Sequence, residues 1–562
     1  MVSEDRAVWL VFNGEIYNFR ELRAELESLG HRFRTTSDTE VLLTAYQSWD
    51  VECLKRLRGM FAFAIWDAGR RRVLLARDRA GIKPLVYAWD GQRLLFASEL
   101  KAILQDPGLH RELDWQALRD YLTFLYIPGP RTIFQGIHKL APGSYLLMAL
   151  GGGEPEIRRY WELRFTREDG RSPAAWLDGL RSHLEDAVQS HLVSDVPIGA
   201  FLSGGMDSST VVTLMARAVG EPVRTFSIGF DDAEFDELVY ARQVARRFGT
   251  EHFELVVKPD ALEAWPRLAW QFDEPFADSS ALPTYYVAKI TREHVTVALS
   301  GDGGDENFAG YARYARALAL HERLDGWPGR MAKPLFRAAA RLMPPGARGQ
   351  GYFQLLGSEP IERYFRMVTY QREETLRRLL TPEARALVGP RVGPALFRQA
   401  VGHNGGQDYV ASLQAIDIAT YLPEDILTKV DRTSMLVSLE ARVPLLDHVL
   451  MEYLATMPTS FKLRDGSGKL ILKRAMQDAL PLDILQRGKM GFGVPLDRWF
   501  RGELADYTRA VLLGSRSRQR GLIEPREVSR LLEEHESGRR DYTSQIWSLL
   551  CLEEWARQWW DR

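Results

Sequence analysis

Ser203-Gly-Gly-Met-Asp-Ser-Ser209 places two glycines, three hydroxyls and one carboxylate within seven residues. Gly204 and Gly205 free the backbone to take positive φ and approach a ligand, and Ser203, Ser208 and Ser209 add hydroxyl donors. The apolar strand Ile198–Leu202 precedes this turn. The run from Ser209 to Val219 continues as a helix whose first-turn N–H groups and positive dipole end face the same anion. The chemistry this predicts is polyphosphate binding. Asp207 stands in the nest, where a bare carboxylate repels phosphate, so its presence calls for Mg²⁺ between carboxylate and phosphate oxygens.

A second acidic and glycine-rich run, Ser300-Gly-Asp-Gly-Gly-Asp-Glu-Asn-Phe-Ala-Gly-Tyr311, follows another apolar strand at 295–300. In a parallel α/β sheet, ligands bind beyond the carboxyl ends of the strands, so the two runs meet in one crevice. Asp207 and Asp305 would then hold Mg²⁺ from opposite sides of a departing pyrophosphate. Arg487-Gly-Lys-Met-Gly-Phe-Gly-Val-Pro495 sets Lys489 in a glycine-rich loop, with no helical or packing reason for the lysine.

There is no Gly-Lys-Ser/Thr ending, so the first turn is not a Walker loop. SGGMDSS resembles the PP-loop of the ATP pyrophosphatases. With SGDGGDE, NGEIYN (13–18), TSDTE (36–40), ARDRAGIKPLVY (76–87) and EARVPLLD (440–447), nearly the whole chain resembles the glutamine-hydrolysing asparagine synthetases. That resemblance implies ATP contacts from Leu202, Ser203, Gly204, Gly205, Asp207, Ser208, Ser209, Ile228 and Gly301. It makes Asp302 the group that handles the acyl-adenylate or deprotonates the nucleophile. Lys489 corresponds to the family lysine, which neutralises charge on the α-phosphate in the transition state. Asn13, Gly14, Glu15 and Asp38 would hold glutamine. Taken singly, Asn13-Gly14 reads as a turn and Ser37 or Asp38 as a helix N-cap. The implied reaction is adenylation of aspartate to β-aspartyl-AMP, followed by capture of ammonia.

Several elements must position these groups. Val8–Phe12 is a strand running into Asn13; helices follow over 19–29 and from about Asp38. Segments 61–66, 72–77, 84–89 and 93–98, separated by Ala-Gly and Asp-Gly turns, predict an antiparallel meander. Proline and glycine crowd residues 99–170 and mark a boundary. From Ser172, helices alternate with strands at 198–202, 224–230, 253–257 and 295–300, a parallel α/β pattern. The expected architecture is a multidomain α/β chain. An incomplete Ntn-hydrolase-like antiparallel domain (1–165) precedes a PP-loop synthetase domain (172–562) with a helical C-terminal part. In the latter, Tyr421–Met435 reads as helix packing and salt bridges, and the tail from Pro525 as two amphipathic helices whose tryptophans pack.

The family's N-terminal cysteine nucleophile, whose own α-amine serves as base, has no counterpart at Met1. Cys53, on a helix against the core, does not replace it, so glutaminase activity is expected to be absent. Lys+Arg 73 against Asp+Glu 75 leaves a net charge of −2, which argues against nucleic acid as partner. No apolar run is long enough to span a bilayer and no signal segment is recognisable, so a cytoplasmic enzyme of small molecules, with no membrane partner, is expected. A homodimer stays open as an assembly, through surfaces the sequence does not mark. Two alternatives stay open: a related amidotransferase acting on another carboxylate, as at exopolysaccharide or exosortase loci, and a homologue that binds glutamine or ATP without turnover.

Overall fold

The computed structural model describes residues 1–562 apart from 169, 231–236, 258–262, 345–346, 348, 390–392, 405–407, 489–492 and 562, with the side chains of 403 and 404 also left aside. Lys489 therefore lies outside the described residues.

The strands in chain order are β1 (Val8–Ile16), β2 (Gly59–Asp67), β3 (Arg72–Arg77), β4 (Val86–Trp89), β5 (Leu94–Ala97), β6 (Ile137–Lys139), β7 (Ser144–Ala149) and β8 (Glu156–Arg159) in the first half. The second half holds β9 (Ile198–Phe201), β10 (Arg224–Phe230), β11 (Glu251–Val257), β12 (Val297–Leu299) and β13 (Glu440–Arg442). Among the described residues they form an antiparallel sheet β1-β2-β3-β7-β8, a small sheet β5-β4-β6 and a parallel sheet β11-β10-β9-β12-β13. The mixed α/β architecture, antiparallel first and parallel second, is the one expected.

The single meander is not. β3 pairs with β7 rather than β4, and β4–β6 form a sheet of their own. Buried Asp78 explains the break: its carboxylate accepts from the amides of Ile82 (2.9 Å), Lys83 (2.9 Å) and Phe61 (3.2 Å), pinning a turn that carries the chain off the first sheet. Asn13-Gly14-Glu15 also forms no turn. Each pairs within the ladder, opposite Ala62, Phe61 and Met60, because β2 is long enough to accompany β1 to Ile16.

Helices Phe19–Ser28 and Asp38–Trp49 cover this first sheet, burying Leu22, Leu26, Val41 and Leu42 against Leu10, Phe61 and Phe63. Cys53 is fully buried there, and burial pushes its thiol up to about 12. Such a thiol stays protonated and inert. Helices Pro173–His191 and Met206–Ala218 pack on the parallel sheet through Trp176, Leu180, Val211 and Val212. A larger cluster joins helix Trp115–Phe124 to the C-terminal helices, where Trp547, Trp555 and Trp559 are buried in packing. No helix among the described residues is long and apolar enough to cross a membrane.

Candidate active site

β9 and β12 lie side by side and parallel, with Ala200 opposite Leu299, so the loops leaving their carboxyl ends begin next to each other. The first loop turns at Gly204, where φ is +69° and a Cβ would stand 2.5 Å from the Ala241 amide nitrogen. No L-side chain fits there. Gly205 instead takes ordinary negative φ and caps helix Met206–Ala218, which puts Asp207 in the helix's first turn. Ser203 and Ser208 bring their hydroxyls within 3.1 Å across the turn, and Ser208 Oγ accepts the Ser203 amide at 3.3 Å. The second loop packs directly on this helix start: a Cβ at Gly301 would lie 2.6 Å from the Ser208 amide nitrogen.

Between and above the loops is a cavity of about 950 Å³. Leu202, Ser203, Gly205, Asp207, Ser208, Ile228, Gly301, Asp302 and Asp305 all line it. Gly204, at the turn itself, and fully buried Ser209 are not among the lining residues. Asp302 accepts from the Ser300 hydroxyl at 2.5 Å. Residues 487, 488 and 493, on either side of the segment holding Lys489, border the cavity.

Three cations that the sequence reading did not single out converge on this crevice. Lys469 is buried, its Nζ in contact with Asp207 Oδ2 and 2.7 Å from Asp305 Oδ1. Burial alone would lower its pKa, but the two carboxylates outweigh that and hold the ammonium charged. Lys429 donates to Asp278 (2.7 Å) and Ser280 (2.8 Å) on another wall. Arg487 pairs with Glu237 at 2.5 Å. A lysine one residue past Ser-Gly could have been noticed in sequence; its two partners could not.

The other expected cluster also assembles. Asp38 accepts the Ile16 amide at 3.0 Å, which ties it to the end of the strand carrying Asn13, Gly14 and Glu15. Asn13 donates to Ser98 Oγ at 3.1 Å. Glu15 reaches across to the edge strand of the parallel sheet, 3.6 Å from Arg442. Its pKa is raised to about 7 by burial and by Glu440, against the pull of Arg442. Burial raises Asp38 as well. Arg58–Asp447 (2.6 Å), Lys83–Asp431 (3.0 Å) and Trp161–Glu452 (2.6 Å) hold the two halves together around this contact.

Comparison with known proteins decides the family. The asparagine synthase model matches residues 179–557, and a glutamine amidotransferase domain model matches residues 1–161. The chain belongs to the asparagine synthase family. It is 36% identical over 560 residues to asparagine synthetase [glutamine-hydrolyzing] 1 of Bacillus subtilis (strain 168), covering 98% of this chain and 86% of that relative. A putative asparagine synthetase [glutamine-hydrolyzing] of Mycobacterium bovis is 36% identical over 564 residues, covering 98% of this chain and 84% of the relative. More distant is amidase chyE of Penicillium rubens, 29% identical over 545 residues, covering 89% and 79%. The chain is thus an asparagine-synthetase-type ligase.

Proposed function

We propose that the crevice adenylates a small carboxylate, aspartate in the first instance, and transfers the acyl group to ammonia. The observation that carries this reading is the convergence of Asp207, Asp305 and Lys469 at the paired ends of β9 and β12. An acceptor carboxylate oxygen attacks the α-phosphorus of ATP, the bond from that phosphorus to the α–β bridging oxygen breaks, and pyrophosphate leaves. Ammonia then attacks the acyl carbon of β-aspartyl-AMP; AMP departs, and asparagine and a proton remain. Residues 172–562 would carry both steps, with ammonia itself as the nitrogen donor.

The donor set suits Mg²⁺. Two carboxylate oxygens already meet at one cation, and no cluster of three or more acidic, histidine or cysteine ligands exists among the described residues. Few protein ligands, with water and phosphate oxygens completing the shell, is how Mg²⁺ is usually held at nucleotides. When bound, it would neutralise charge on the leaving pyrophosphate. Lys469, seated beside both carboxylates, would then be placed to pair with phosphate oxygens. The amides after Gly204 and the Ser203 and Ser208 hydroxyls cradle phosphate. Ile228 and Leu202 flank the nucleotide, and Asp302 takes the proton of incoming ammonia. Lys489 is assigned to the α-phosphate.

A second reading, the same chemistry on a larger carboxylate, draws on the cavity. At about 950 Å³ it stands near the top of the range of small-molecule sites, roughly 300–1,000 Å³. The test is pyrophosphate release from Mg-ATP, with aspartate as acceptor and ammonium or glutamine as nitrogen source. Aspartate-dependent release with asparagine formed supports the first reading. Release that stays at background with aspartate, in a protein that binds ATP, refutes it and leaves the second.

A further inference from the structure

Helix Trp327–Leu342 belongs to the helical region between the second acidic loop and Tyr421, and nothing in the ligase chemistry uses it. It carries Arg330, Lys333, Arg337 and Arg341 and no carboxylate. One face is fastened to the protein. Lys333 lies 2.6 Å from Asp325 and 3.0 Å from Glu359; Arg337 lies 2.6 Å from Glu359 and donates to the Gly357 carbonyl at 2.7 Å. Phe336 packs on the same side, its ring 6.3 Å from Phe353.

That fastening turns the larger apolar residues outward. Trp327 is 80% exposed, Met331 67%, Leu335 70% and Leu342 87%. At 3.6 residues per turn these four fall within an arc of roughly 80°. Arg330 and Arg341 flank one edge of the stripe, are exposed, and make no ion pair among the described residues. An apolar ridge bordered by unpaired arginines and headed by tryptophan is the pattern of helices lying in a lipid interface, the ridge among acyl chains and the guanidinium groups at phosphate level.

We propose that this helix docks the enzyme on the surface of an anionic lipid bilayer. Charge complementarity favours lipid over a second copy of the chain. An antiparallel twofold contact would set the same face against itself and bring the arginine edges of both copies to one side, with no carboxylate on the helix between them. The chain's net charge is only −2, so the attraction is local to this face. The absence of a spanning segment is no objection, since such a helix lies flat.

The experiment is flotation of the full chain with vesicles of phosphatidylglycerol and phosphatidylcholine, against vesicles of phosphatidylcholine alone, at low and high salt. Binding to the anionic vesicles is expected, weakened by high salt. Arg330→Glu with Arg341→Glu should weaken it by more than tenfold, since each arginine contributes about fivefold at an anionic surface. Met331→Glu with Leu335→Glu should abolish it and leave the far-UV spectrum and melting unchanged, as both side chains are exposed; Leu342→Glu serves as a second variant should the first fail to fold. Wild-type protein that stays unbound with anionic vesicles overturns the proposal, and so does undiminished binding by the glutamate variants. Sedimentation of the free protein as a dimer that Leu335→Glu dissociates, without vesicle binding, assigns the stripe to a second copy instead.

Discussion

Replacing Lys469 by alanine tests the phosphate crevice most directly. In the free enzyme its ammonium joins Asp207 and Asp305, the latter at 2.7 Å, so the two carboxylate oxygens are close neighbours. Left without a cation at about 5 Å and an effective dielectric near 20, two carboxylates repel by ~3 kcal/mol. The Lys469→Ala crevice should therefore either take up a proton or hold Mg²⁺ more tightly than wild type does. Removing one preorganised charge from a transition state typically costs about 10²–10³-fold in rate. The assay is acceptor-dependent pyrophosphate release, read beside ATP and Mg²⁺ affinity on the same variant. A loss of about that size with ATP affinity largely kept assigns Lys469 to the transition state. Adding Asp305→Asn to Lys469→Ala should relieve the repulsion and recover melting temperature, but not rate. Pyrophosphate release within threefold of wild type would refute the role, and parallel loss of ATP binding would reduce Lys469 to a residue that merely keeps the crevice folded.

Other expectations follow from the same geometry. Lys489→Ala should abolish pyrophosphate release while leaving ATP binding intact; a rate unaffected by the change removes Lys489 from the mechanism. Glu15, whose pKa is raised to about 7 by burial and by Glu440, is mostly neutral below that pH. A carboxylate is what the α-ammonium of glutamine requires, so glutamine affinity measured by calorimetry should rise with pH up to about 7 and level off above it. Glu440→Gln removes a nearby negative charge and should move that midpoint down; a midpoint that does not move disproves the coupling. His191 is buried, its pKa lowered to about 4 by that burial. The unfolded chain protonates it first as pH falls, so its contribution is full above about 6.5 and is lost on the way down to 4, on the order of 3 kcal/mol. Urea unfolding of His191→Gln should accordingly show a shallower loss of stability between pH 7 and 5 than wild type.

Much of the local geometry of this crevice is legible in the sequence, and the reason is local. A strand, a glycine turn and a helix start occupy about a dozen consecutive residues, so SGGMDSS carries its own geometry, including the positive φ at Gly204. The same holds for the alternating strands of the parallel sheet and for the helix that opens at Asp38. What misled was equally local. Taken singly, Asn-Gly suggests a turn, a reading the neighbouring motifs already set aside, and Asn13 and Gly14 are held in a ladder by β2, some fifty residues away. Four short strands in sequence suggest one meander, but the sheet splits because a single buried carboxylate, Asp78, gathers three amides.

The cations were illegible for a different reason. Lys469 meets Asp207 across 262 residues of chain and Lys429 meets Asp278 across 151. No periodicity or turn chemistry at either end encodes the partner. Balanced total charge hides such pairs, since each adds nothing to the sum. Yet a phosphate crevice needs them: anionic substrate and acidic metal ligands cannot share a site unless buried positive charge is fixed nearby by the fold. Asp207 in a phosphate nest is therefore the sequence sign that a cation must come from elsewhere. Mg²⁺ answers part of that demand, and Lys469, already seated between Asp207 and Asp305, supplies the part that belongs to the protein.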